Sequence, residues 1–171
     1  MALGDKQADK VLGLAQAQIS EPVILAGVVS PKGRQGARAL GGLAGMAIHS
    51  ASKSKSAFGP YNVLAVTDSG LHAFSASNNV GVKLKDPIGS WPWGSFGAST
   101  ADGSMTRFLF LQWGDGSVDE LEQPKRGVGK AGTLIDEIVR RAVAAGMAAP
   151  PPPPDVAAQA PPPPPPPPPP A

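Results

Sequence analysis

Residues 61–76, YNVLAVTDSGLHAFSA, place two apolar runs on either side of Thr67-Asp68-Ser69-Gly70, and this stretch constrains the fold more than any other. Val, Leu, Tyr and Phe at period-two spacing predict paired strands. The Asp-Ser-Gly turn suits a hairpin because Asp and Gly tolerate the positive φ angles of tight turns. The stretch speaks of fold and carries no catalytic vocabulary.

Other segments extend the pattern. Ala8, Val11, Leu12, Ala15 and Ile19 recur at helical spacing behind a cap at Asp5, predicting an amphipathic first helix that ends before Pro22 and docks on the domain. Val23–Val29 is a short apolar run stopped by Ser30-Pro31-Lys32-Gly33 and reads as a buried first strand. Ala37–His49 is rich in small residues and fits a helix or a loop.

After the hairpin, Val80–Lys85 alternates apolar with charged residues, as a strand with one wet face does, and ends at Asp86-Pro87 with its lysines outward. Ile88–Thr100 suggests one or two short irregular strands near a sheet edge, where proline is tolerated. Met105–Trp113 is the longest strand candidate, with Phe108–Leu111 anchoring the core, and Gly114-Asp115-Gly116 turns it into Ser117–Gln123. A last helix starts at Thr133 as cap, with Asp136 three residues on. It repeats Ile135, Ile138, Val139 and Ala142 on one face and stops at Gly146.

These readings divide the chain into an N-terminal helix (1–20), a β-rich domain with a C-terminal helix (21–146), and a proline tail (147–171). The predicted class is mainly β (α+β): a partly open barrel of about seven antiparallel strands capped by a C-terminal α-helix. With 42% apolar residues the chain can bury one core. Only 5% aromatic content and 21 glycines point to a small-residue interior without room for a bulky prosthetic group, so no cofactor is expected.

The absence of cysteine excludes disulfides, thiolate catalysis and cysteine-bound metal. Asp5, Lys6, Asp9 and Lys10 interrupt any signal-peptide core, and no apolar stretch reaches the roughly 20 residues of a spanning helix. The expectation is a cytoplasmic protein without a transmembrane segment. It would be peripheral at the inner face of the membrane if its basic segment meets lipid.

Val63–Phe74, read as apolar strand, Val-Thr-Asp, turn, Leu, Phe, resembles the hairpin of bacterial, actinobacterial-type pleckstrin-homology-like and GRAM-like domains, and Asp115-Gly116 fits their late hairpin. Ser69 departs from the basic residue such domains often carry before the leucine. The resemblance spans roughly residues 20–145. It implies a non-catalytic module recognising a phospholipid headgroup, a peptide or another protein.

Charge distribution supplies candidate site residues. Pro22–Thr67 holds Lys32, Arg34, Arg38, Lys53 and Lys55 and no carboxylate. Lys32 and Arg34 follow the first strand, in the loop that in pleckstrin-like domains often faces a headgroup, so these five are the candidate anion- or lipid-binding residues. Ordinary solvated cations are the competing reading. With a net charge of only +2, nucleic acid is not expected.

Other motifs fail for physical reasons. Gly127–Gly132 spells GxGxxG, but Pro124 and charged residues precede it where a dinucleotide fold needs a buried parallel strand. His49 and His72 are the only histidines, too few for a metal triad. Asp68, Ser69 and His72 are neighbours in a turn, with no nucleophile elbow. Asp119, Glu120 and Glu122 read as a charged strand edge that discourages pairing, and Trp91 and Trp93 as a barrel-end plug or a binding platform.

The tail, with ten consecutive prolines at 161–170, should form a polyproline II rod of about 31 Å. It suits a proline-recognising partner or a rigid spacer.

Overall fold

Strand β2 (Asn62–Val66) is buried along its whole length, and this organises the molecule. In the computed structural model, which describes residues 3–32, 57–77, 81–103, 106–125 and 132–146, both faces of β2 meet apolar layers. Leu64 and Val66 enter a core shared with the later strands and the C-terminal helix. Val63 and Ala65 face the N-terminal helix α1 (Leu3–Gln16), packing with Val11, Ala15 and Ile19. A strand covered on both sides cannot alternate apolar with polar residues, which is why Asn62 is its only polar position.

The strands are β1 (Leu25–Pro31), β2, β3 (Gly70–Ala76), β4 (Leu84–Pro92), β5 (Phe96–Asp102), β6 (Thr106–Trp113) and β7 (Val118–Pro124), and helix α2 (Gly132–Ala144) follows them. They form one antiparallel sheet in the order β4-β3-β2-β1-β7-β6-β5. Two meanders meet at the end of β1, where Ser30 and Pro31 pair with Glu122 and Leu121. Leu71, Phe96, Leu109, Leu111 and Leu121 from both meanders close on Leu134, Ile135 and Ile138 of α2. α1 covers the opposite face of the first meander.

The hairpin at 61–76 forms with Thr67–Ser69 between β2 and β3, and Val66 pairs with Leu71. The reason for its glycine differs from the expected one: Gly70 has no positive φ, which among described residues occurs at Gly94, Gly116 and Gly146. A Cβ on Gly70 would instead stand 2.3 Å from the Trp91 carbonyl oxygen, so the glycine is required by the close approach of β4.

Several boundaries shift. The first strand runs through Ser30 and Pro31, since pairing with β7 extends it. The expected strand at 80–85 is displaced to Leu84–Pro92 and passes through Asp86-Pro87, although Lys83 and Lys85 are exposed as expected. Proline is accommodated because β4 is a sheet edge and its register slips around Pro87.

α1 starts at Leu3, two residues before the cap position expected at Asp5. α2 begins at Gly132, so Thr133 falls within its first turn, and Asp136 pairs with Arg107 at 2.6 Å. At the other end Gly146 takes φ 85° and donates to the Val143 carbonyl, closing the helix as the sequence suggested.

Candidate functional site

Gln16, the last residue of α1, fixes the chain that follows. Its Nε2 donates to the carbonyls of Ile19 and Glu21 at 3.2 and 3.0 Å, and its Oε1 accepts from the Val23 amide at 2.8 Å. This knot replaces a regular connection and holds Glu21 over the β2–β3 turn. Ser69 Oγ donates to Glu21 Oε1 at 2.5 Å, and His72 Nε2 lies 3.2 Å from the same oxygen. A carboxylate only accepts, so His72 Nε2 carries the proton in this contact. The Ser69 hydroxyl, with smaller help from Thr67 and His72, holds the Glu21 carboxyl below its usual acidity range.

Beside this pair lies a cleft of about 430 Å³ lined by Gln18–Glu21, His72, Phe74 and Pro87–Ser90. It opens where β4 is irregular: Ala73 pairs with Gly89 and Phe74 with Pro87, leaving Ile88 without a partner across the ladder. The bulge moves β4 relative to β3 and leaves room for the cleft.

Both hydroxyls of the turn are engaged in hydrogen bonds. The Ser69 proton goes to a carboxylate, and Thr67 Oγ1 donates to the Gly70 carbonyl at 3.0 Å while accepting its amide at 3.1 Å. Thr67 Oγ1 also lies 3.4 Å from both His72 Nε2 and Ser69 Oγ, so the side chains of the turn form one hydrogen-bonded cluster around Glu21. What the site offers is a fixed, ionised carboxylate beside an apolar wall. Among the described residues no group of three metal-ligating side chains forms.

The same turn is clamped from α2. Arg141 Nη1 donates to the Thr67 carbonyl at 3.1 Å and to Asp68 Oδ1 at 3.2 Å, its guanidinium stands over the Trp93 ring, and its Nε donates to Glu137 at 2.6 Å. Arg140 also bonds Glu137, and these two arginines, Arg140 foremost, pull the Glu137 carboxyl down to about 2. Trp91 and Trp93 pack against the core as a plug. Trp91 lies 4.7 Å from Trp113, and Trp93 lies 5.7 Å from Phe96 and donates its indole N–H to the Thr67 carbonyl.

Of the five sequence-predicted basic residues, Lys32 is placed immediately after β1. It pairs with Glu120 at 2.7 Å and stands 5.6 Å above the rings of Phe108 and Phe110, with its side chain 41% exposed. Arg34, Arg38, Lys53 and Lys55 lie outside the described residues, as do His49, the stretch 37–49, most of the GxGxxG segment and the tail.

The acidic run is not an edge. β7 lies between β1 and β6, where Glu120 holds Lys32, Asp119 accepts from Trp113 Nε1 at 2.7 Å, and Glu122 is buried. Of the anchors proposed on β6, Leu109 and Leu111 enter the core. Phe110 is buried on the opposite face beneath Lys32, and Phe108 is half-buried there.

Glu21 was missed by sequence reasoning. It is 51 residues from His72 in the chain, and the one local sign was a lone carboxylate between an amphipathic helix and an apolar strand. Compared with known protein families, curated proteins and solved structures, the chain matches none. Among the described residues no helix is long and apolar enough to cross a membrane.

Proposed function

We propose that the chain is a non-catalytic binding module of the pleckstrin-homology-like or GRAM-like kind, whose β1–β2 connection meets an anionic phosphate surface. Two antiparallel meanders joined through β1 and closed by a C-terminal helix support the kinship. The observation that carries the function is the charge of that connection. Arg34, Arg38, Lys53 and Lys55 fall between the end of β1 and the start of β2 with no carboxylate among them, and Lys32 stands at its base. Each basic residue near an anionic bilayer contributes about 1 kcal/mol, so four together suffice for measurable attachment.

Sedimentation with vesicles tests this. The full chain should pellet with phosphatidylcholine vesicles containing an anionic phospholipid, less so as salt rises, and not with phosphatidylcholine alone. Replacing Arg34, Arg38, Lys53 and Lys55 by Gln should abolish the difference. Equal pelleting with neutral and anionic vesicles would overturn the reading.

The run of ten prolines favours a second reading, an interaction protein whose tail docks to a proline-recognising domain or spaces a partner from the barrel. Removal of residues 150–171 should then abolish capture by such a domain while leaving vesicle binding intact.

A further inference from the structure

We propose that the cleft between the α1–β1 connection and the bulged strand β4 binds a small organic cation, a primary ammonium or guanidinium on a short apolar body, through the Glu21 carboxylate. The volume, about 430 Å³, falls within the range of small-ligand clefts. Ile19, Phe74, Pro87 and Ile88 supply the apolar wall, and Glu21 and His72 the polar end.

The charge at that end selects the ligand. Among the described residues Glu21 pairs with His72 and with no lysine or arginine. An ionised carboxylate has about four acceptor positions; Ser69 and His72 both meet Oε1, and Thr67 and the Ser69 amide also favour the ionised form. The remaining positions suit N–H donors and repel an anion. Their direction is fixed in advance, because the Gln16 knot holds the backbone of Glu21 and Ser69 holds its side chain, so little ordering is left to the binding step. Lys32, which lies among the described residues, does not line the cleft, and the two proposals are tested by separate experiments.

The experiment titrates the full-length chain with n-butylammonium and n-butylguanidinium, with n-butanol and butyrate as neutral and anionic controls, followed by amide NMR shifts. Saturable shifts at His72, Ile88 and Gly89 with the cations are expected, and only weak ones with the controls. Glu21→Gln should weaken cation binding by about tenfold, the usual loss for one charge-assisted hydrogen bond. Affinity should also fall as salt rises, a readout that needs no variant should Glu21→Gln fail to fold. Equal binding of n-butanol, preference for butyrate, a salt-independent affinity, or unchanged binding in folded Glu21→Gln would each overturn the proposal.

Discussion

At the scale of single residues, two glycines at hairpin turns are required for opposite reasons. Gly116 has φ 82° and open space around its missing side chain, so a Cβ there meets backbone strain and no neighbour. Gly70 has no positive φ, but a Cβ added there would collide with the Trp91 carbonyl oxygen and drive β3 from β4. Gly116→Ala should cost about 1 kcal/mol, and Gly116→Asn less, since Asn tolerates left-handed backbone. Gly70→Ala should cost about 1–3 kcal/mol as an overpacking change, and Gly70→Asn more. Urea midpoints of the four variants check this, and a gain from Asn over Ala at position 70 would contradict the steric account. The sequence marked Gly70 as special, but the reason lay with a carbonyl on β4, beyond local reading.

At the scale of elements, α2 is tied to the β2–β3 turn by an ionic chain running from Glu137 through Arg141 to Thr67 and Asp68. The helix itself was legible, because Ile135, Ile138 and Ala142 fall on one face and all are buried. Its attachment was not, since Arg141 and Thr67 are 74 residues apart and only the closed fold joins them. The chain has a defined acid response. The folded-state pKa of Glu137 lies at about 2, below the ordinary 4.5, so the stability it contributes is complete above pH 4.5 and is lost as pH falls toward 2. Glu137→Gln carries no such titration. The wild-type advantage in thermal midpoint over Glu137→Gln should therefore be constant above pH 4.5 and shrink between 4.5 and 2. An advantage that survives unchanged at pH 2 would assign it to packing.

At the scale of the whole molecule, stability should be graded outward from β2. That strand is buried on both faces, bonded to β1 and β3, and shared between the interior core and the layer under α1. The seven strands could be counted from turns and apolar runs, but not the pairing of β1 with β7, which joins residues about 90 apart and has no local signature. That joint places β2 near the centre of the sheet and leaves β4 at one end, exposed at Lys85, Asp86 and Pro87 and slipped in register. Amides open by local unfolding where few buried contacts oppose it, and only by global unfolding where both faces are covered. Native-state hydrogen exchange should therefore find the β2 amides of Leu64 and Ala65 the slowest, at the global limit. The β4 amides of Lys85 and Asp86 should exchange at least about a hundredfold faster, a gap of roughly 3 kcal/mol in opening free energy. Removing residues 1–20 uncovers Val63, Ala65 and Phe74, and should lower protection in β2 more than in β6, whose Leu109 and Leu111 belong to the other core. Equal losses in both strands would mean that α1 stabilises the fold as a unit and does not act through the face it covers.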